Sequence, residues 1–69
     1  MTIRRVVVLR WTETVRGRAW VAGDYRVVRG LDGFESYFKG GGELALLGVN
    51  VTPEGAKRRC RNHAERPRP

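Results

Sequence analysis

Apolar and polar positions divide the chain into short β-like runs followed by one helix-like run. Ile3 to Trp11 contains Val6-Val7-Val8-Leu9, which is β-branched and too short for an independent helix, so it predicts a strand. Thr12 to Arg18 is polar and ends in Arg16-Gly17-Arg18, which predicts a turn. From Ala19 to Arg29 the β pattern resumes through Trp20, Val21, Tyr25, Val27 and Val28. Within it Gly23-Asp24 marks a bulge, a bend or a break into two pieces. Asp32-Gly33, inside Gly30-Leu31-Asp32-Gly33, predicts a tight hairpin turn. Beyond it Phe34, Ser36 and Phe38 alternate with Glu35, Tyr37 and Lys39, so Phe34 and Phe38 are expected to face the core. Gly40-Gly41-Gly42 reads as a loop. Glu43 to Val51 reads as the last strand, with Leu44 and Leu46 on one face and Leu47, Val49 and Val51 on the other. Apolar residues on both faces predict that this strand is central in the sheet or covered on its second face.

Thr52-Pro53-Glu54 has the chemistry of a helix start: a hydroxyl N-cap, a proline where the missing N–H costs nothing, and an acid near the positive end of the dipole. From Pro53 to about Glu65, Ala56, Cys60, His63 and Ala64 fall on one stripe, while Lys57, Arg58 and Arg61 lie off it. Arg66-Pro67-Arg68-Pro69 cannot continue a helix, so residues 66–69 are expected to form a basic disordered tail beyond a single domain, 1–65. The expected fold is α+β: an antiparallel meander of three to four strands, with one C-terminal helix packed on one face through Ala56 and Cys60.

Size sharpens this picture. The 69 residues, 41% hydrophobic and 30% charged, suffice for one small core and not for a large enzyme cleft. Domains this small often draw support from disulfides, metals or oligomerisation, and a single cysteine cannot form an internal disulfide. A homodimer is the expected support. No secretory core or long apolar run is read in the sequence, so a cytoplasmic location and no membrane partner are expected.

The formal net charge is +7, and its excess is terminal. Residues 1–11 carry Arg4, Arg5 and Arg10 without an acid, and residues 55–69 carry Lys57, Arg58, Arg59, Arg61, Arg66 and Arg68 against Glu65 alone. Between them bases and acids nearly balance. Clustered positive charge attracts polyanions, most simply the phosphates of DNA or RNA, although a basic surface also keeps a small protein soluble. With Arg26, Arg29 and Lys39 from the strands, the six C-terminal bases are the candidate nucleic-acid-binding residues. Trp11, Trp20 and Tyr37 are the candidate stacking or interface aromatics, with core packing as their competing role.

Catalytic and cofactor chemistry find little support in the residues. Gly40-Gly41-Gly42 lacks a following Gly-Lys-Ser or Gly-Lys-Thr and leads into a strand, unlike a phosphate loop. Cys60 and His63 have the spacing of half a zinc site, and the other half is missing, so a packed structural pair is expected and no metal. No third group orients them as a nucleophile and base, and the carboxylates are scattered singly. Asn50-Val51-Thr52 matches a glycosylation sequon only formally. The expectation is a protein that is not an enzyme and carries no cofactor.

Tyr25-Arg26-Val27-Val28-Arg29, Gly33-Phe34, Tyr37-Phe38-Lys39, Thr52-Pro53-Glu54-Gly55-Ala56-Lys57 and Cys60-Arg61-Asn62-His63-Ala64 together resemble small uncharacterised phage and prophage proteins over the last two-thirds of the chain. That resemblance implies a strand meander closed by a helix and a compact accessory protein, and it specifies no activity. The element order is also similar to the sheet-plus-helix DNA-binding domains of phage integrases, although an integrase catalytic domain is not expected to follow. The Ala56-Lys57 helix start is similar to that of double-stranded-RNA-binding domains, whose first helix has no counterpart here. Two functions are therefore expected in competition. One is a nucleic-acid-binding accessory module of phage or mobile-element type. The other is a phage-type inhibitor, anti-CRISPR-like or otherwise directed at a host protein complex, that acts through an edge strand or an aromatic patch.

Overall fold

A computed structural model describes residues 7–66. Five strands, β1 (Thr12–Val15), β2 (Ala19–Ala22), β3 (Tyr25–Arg29), β4 (Phe34–Gly40) and β5 (Glu43–Asn50), are followed by one helix, α1 (Pro53–Ala64). The strands form one antiparallel sheet in chain order, β1-β2-β3-β4-β5. The α+β class with a C-terminal helix is as expected, with one strand more than the upper expectation.

The strand count differs for a local reason. Thr12–Val15, which reads as a turn, pairs with β2, and its Glu13 carboxylate accepts the Gly17 N–H at 2.9 Å to close the β1–β2 connection. Conversely, Val7 to Trp11 carries no strand, although its valines favour one; the rest of that expected strand lies outside the described residues. Gly23-Asp24 does break Ala19–Arg29 in two, with Gly23 at φ 59°. Gly30 to Gly33 joins β3 to β4, and the Gly30 N–H donates to the Gly33 carbonyl at 2.6 Å. Gly41 and Gly42, at φ 62° and 89°, form a two-residue turn between the paired Gly40 and Glu43; only residues without a Cβ adopt two successive positive φ values so readily.

Among the described residues β5 is an edge strand, contrary to its expected central or covered position. Its register shifts opposite Ser36 and Tyr37: Ser36 pairs with Gly48 and Tyr37 with Leu46, leaving Leu47 as the extra residue of a bulge. Leu47 therefore packs against the core beside Gly48, and the following Val49 shares the outer face with Leu44 and Leu46. Strict alternation would have put Val49 with Leu47, so the bulge explains the difference.

α1 lies across β3, β4 and β5. Thr52 caps it, its Oγ1 accepting the Gly55 N–H at 3.1 Å, and Ala56 and Cys60 are fully buried against Val27 and Ser36. Small side chains at the contact bring helix and sheet close enough for the Ser36 hydroxyl to donate to the Ala56 carbonyl at 3.0 Å. Gly48 leaves room for the Arg59 guanidinium, which lies where a Cβ would stand. Phe34, Phe38, Trp20, Leu9 and Trp11 close the core at its margins.

Candidate functional site

The candidate basic residues separate into three places. On α1, Arg58 and Arg61 are exposed on the solvent side, as the stripe of Ala56 and Cys60 requires of positions off it. Arg59 is also exposed, but its Nε donates to Asn50 Oδ1 at 2.9 Å, which ties it to the end of β5. Lys57 is half-buried: its Nζ stands 5.2 Å from the Trp20 ring centroid and 5.9 Å from that of Trp11. At these distances the ring faces attract the ammonium, so the two tryptophans hold this chain's own cation. Arg66 follows the helix, exposed, with its N–H on the His63 carbonyl at 3.2 Å; Arg68 lies outside the described residues.

Lys39, Arg26 and Tyr37 lie on the opposite face of the sheet. Arg26 pairs with Tyr37 across β3 and β4, and its Nη1 donates to the carbonyls of Gly23 at 2.8 Å and Tyr25 at 3.2 Å. The Tyr37 hydroxyl donates to Glu35 Oε1 at 2.8 Å, and this bond to a carboxylate, chiefly, pushes its pKa up. Arg29 occupies a third place, the end of β3, where it lines a shallow cleft with Arg18, Gly30 and Leu31. The fold therefore does not gather the eight described candidate bases into one site. It does concentrate Arg58, Arg61 and Lys57 along an open groove of about 500 Å³ between α1 and the segment Val7 to Trp11. Glu54 and Glu65 lie in that groove as well, and Glu65 Oε2 accepts the Val7 N–H at 3.2 Å.

At the C-terminal end of α1, His63 accepts or donates at Nδ1 to the Tyr25 hydroxyl at 2.8 Å, and its ring packs 4.9 Å from that of Phe38. Cys60 is a turn away and buried. Burial pushes its thiol pKa up, against the lesser opposing pull of a hydrogen bond with Ser36 and the nearby Arg59 charge. A thiol held protonated is a poor nucleophile and a poor metal ligand. Among the described residues no cluster of three His, Cys, Asp or Glu side chains is placed to hold a metal ion. No described helix is long and apolar enough to cross a membrane.

Sequence reasoning missed the surface on the far side of the sheet. Val15, Val28, Leu44, Leu46 and Val49 are all exposed there, around Tyr37. The alternation in β3 and β4 carried part of that signal; the bulge at Leu47 concealed the rest. Compared with protein families, curated proteins and solved structures, the chain matches none.

Proposed function

We propose that this protein is a small, basic, non-enzymatic nucleic-acid-binding module that contacts phosphates with the solvent side of α1, as an accessory protein of phage or mobile-element type. Exposed Arg58, Arg59 and Arg61 within one turn of helix support this reading, since α1 contains Glu54 as its single acid. Glu65, just beyond, is engaged with Val7. Like charges this close repel along the helix, and a bound polyanion relieves the repulsion. Arg58 and Arg61 are the principal phosphate-binding residues, with Arg66 extending the track. Lys57 contributes its field while it remains on the tryptophans.

The test is duplex and single-strand binding by wild type and by Arg58→Gln/Arg61→Gln, measured at several salt concentrations. Both arginines are exposed, so the fold is expected to survive. On duplex DNA the log-log salt slope is expected to drop by about 0.9 for each phosphate that is no longer neutralised, with binding weakened almost uniformly across sequences. An unchanged affinity and slope would falsify the proposal. The second reading, an inhibitor of a host protein complex, draws on the apolar far face of the sheet and gains ground in that case.

A further inference from the structure

The far face of the sheet has an unusual layout. Along β4 it presents Glu35, Tyr37 and Lys39 in succession, an acid and a base at equal distances along the strand from one aromatic residue, whose hydroxyl donates to the acid. Along β5, Leu44 stands beside Lys39, Leu46 beside Tyr37 and Val49 beside Glu35, which makes an apolar rail parallel to the charged one. All three β5 residues are roughly half exposed, at 57%, 56% and 45%. In β3, Val28 stands beside Glu35 and Arg26 beside Tyr37.

We propose that this face is the interface of a homodimer, in which two sheets stack face to face about a twofold axis that crosses β4 at Tyr37, perpendicular to the strands. That operation lays β4 antiparallel over its copy. Glu35 then meets Lys39 of the second copy, Lys39 meets its Glu35, Leu46 meets Leu46, and Leu44 meets Val49. The surface is complementary to itself in charge and in apolar content, which an isologous interface requires. Rotation about an axis parallel to the strands fails, because it places Glu35 on Glu35 and Lys39 on Lys39. Arg26 lies near the chosen axis, but its Nη1 bonds to the Gly23 and Tyr25 carbonyls draw the guanidinium toward the β2–β3 turn, away from its counterpart. Stacked sheets keep their strands within about 30°, and stacking on this face leaves both helices outward.

Area decides the expected strength. Strands of four to eight residues, rising about 3.3 Å per residue and spaced about 4.8 Å apart, present roughly 450 Å² of flat face, or about 900 Å² for the pair, just under the lower bound for specific association. The dimer is therefore expected to dissociate on dilution through the micromolar range rather than to be permanent.

Sedimentation equilibrium of the full chain across that range, with circular dichroism to confirm folding, tests the proposal. Wild type is expected to shift from monomer to dimer with concentration, and Leu46→Glu to remain monomeric. Glu35→Lys and Lys39→Glu are each expected to lose self-association, because each sets like charges opposite each other. Mixed one to one, the two variants restore complementarity at both pairs and are expected to form a heterodimer. A folded wild type that stays monomeric at millimolar concentration overturns the proposal and leaves the face to a different protein. A dimer that tolerates both single charge reversals overturns the twofold register. Nucleic-acid binding through α1 lies on the opposite side, so loss of either property is read separately.

Discussion

Val27 and Val28 are neighbours in β3, yet Val27 is wholly buried under α1 and Val28 is 37% exposed on the other side of the sheet. The same contrast runs through β4 and β5, where Ser36 and Leu47 pack toward the helix while Tyr37, Leu46 and Val49 look away from it. A 12-residue helix can cover one face of three strands and no more. The two faces differ in polar chemistry as well. On the covered face, the buried Ser36 hydroxyl is bound to the helix carbonyl of Ala56; on the open face, Arg26, Glu35 and Lys39 surround aliphatic side chains. Apolarity in a strand thus identifies what is able to be buried, and the supply of covering elements determines what is.

The sharpest way to break this comparison is a matched pair of isosteric changes. Val27→Thr places a hydroxyl in a fully buried position and is expected to cost about 1–3 kcal/mol, a large share of what so small a domain possesses. Val28→Thr is expected to stay within about 0.5 kcal/mol, as surface changes do. Urea unfolding at a concentration where the protein is monomeric measures both, and equal costs would show that the faces are not distinct. Cys60→Ser, which makes a buried position more polar beside Ser36, is expected to cost about 1–2 kcal/mol while leaving the salt slope of nucleic-acid binding unchanged. Thr52→Ala removes the Gly55 cap bond and is expected to cost about 1 kcal/mol, with Thr52→Ser retaining most of it.

A pH titration sharpens the same contrast with a smaller effect. The Cys60 thiol is raised in the folded state, so above the ordinary thiol pKa of about 8.5 the unfolded chain binds fewer protons than the native one. Stability attributable to this group is therefore intact below that pH, falls as pH rises through it, and levels off above the folded value. Cys60→Ala is expected to flatten the decline between wild-type stabilities measured at pH 7.5 and above about 9. A slope identical to wild type would assign the decline to other groups.

Much of this architecture was legible in local chemistry. Thr52-Pro53-Glu54 marked the helix start, Ala56 and Cys60 its buried stripe, and Gly30 to Gly33 a hairpin turn, because caps, stripes and turns are specified by residues close together. What escaped depends on partners distant in sequence. Thr12–Val15 becomes a strand through pairing with β2, despite its polar composition, and Val7 to Trp11 does not become one despite its valines. The extra residue at Leu47 shifts a face assignment, and no composition signals it. At the candidate site, the exposure of Arg58 and Arg61 followed from helical period. The pairing of Lys57 with Trp11 and Trp20 did not, since it requires three elements to converge.

The order β1-β2-β3-β4-β5 has a consequence for how the chain reaches its native state. Every strand pairs with the next in sequence through a short connection, so the sheet assembles without closing a long loop. Such a meander lowers contact order, and hairpins of this kind form in roughly 1–10 μs. The distant steps belong to the helix: Ser36 meets Ala56 across 20 residues, and Tyr25 meets His63 across 38. Docking of α1 is then expected to be the late event in folding. Until it occurs, both faces of the sheet are open to water, and the edge strands β1 and β5 lack the cover of the helix against pairing with another chain.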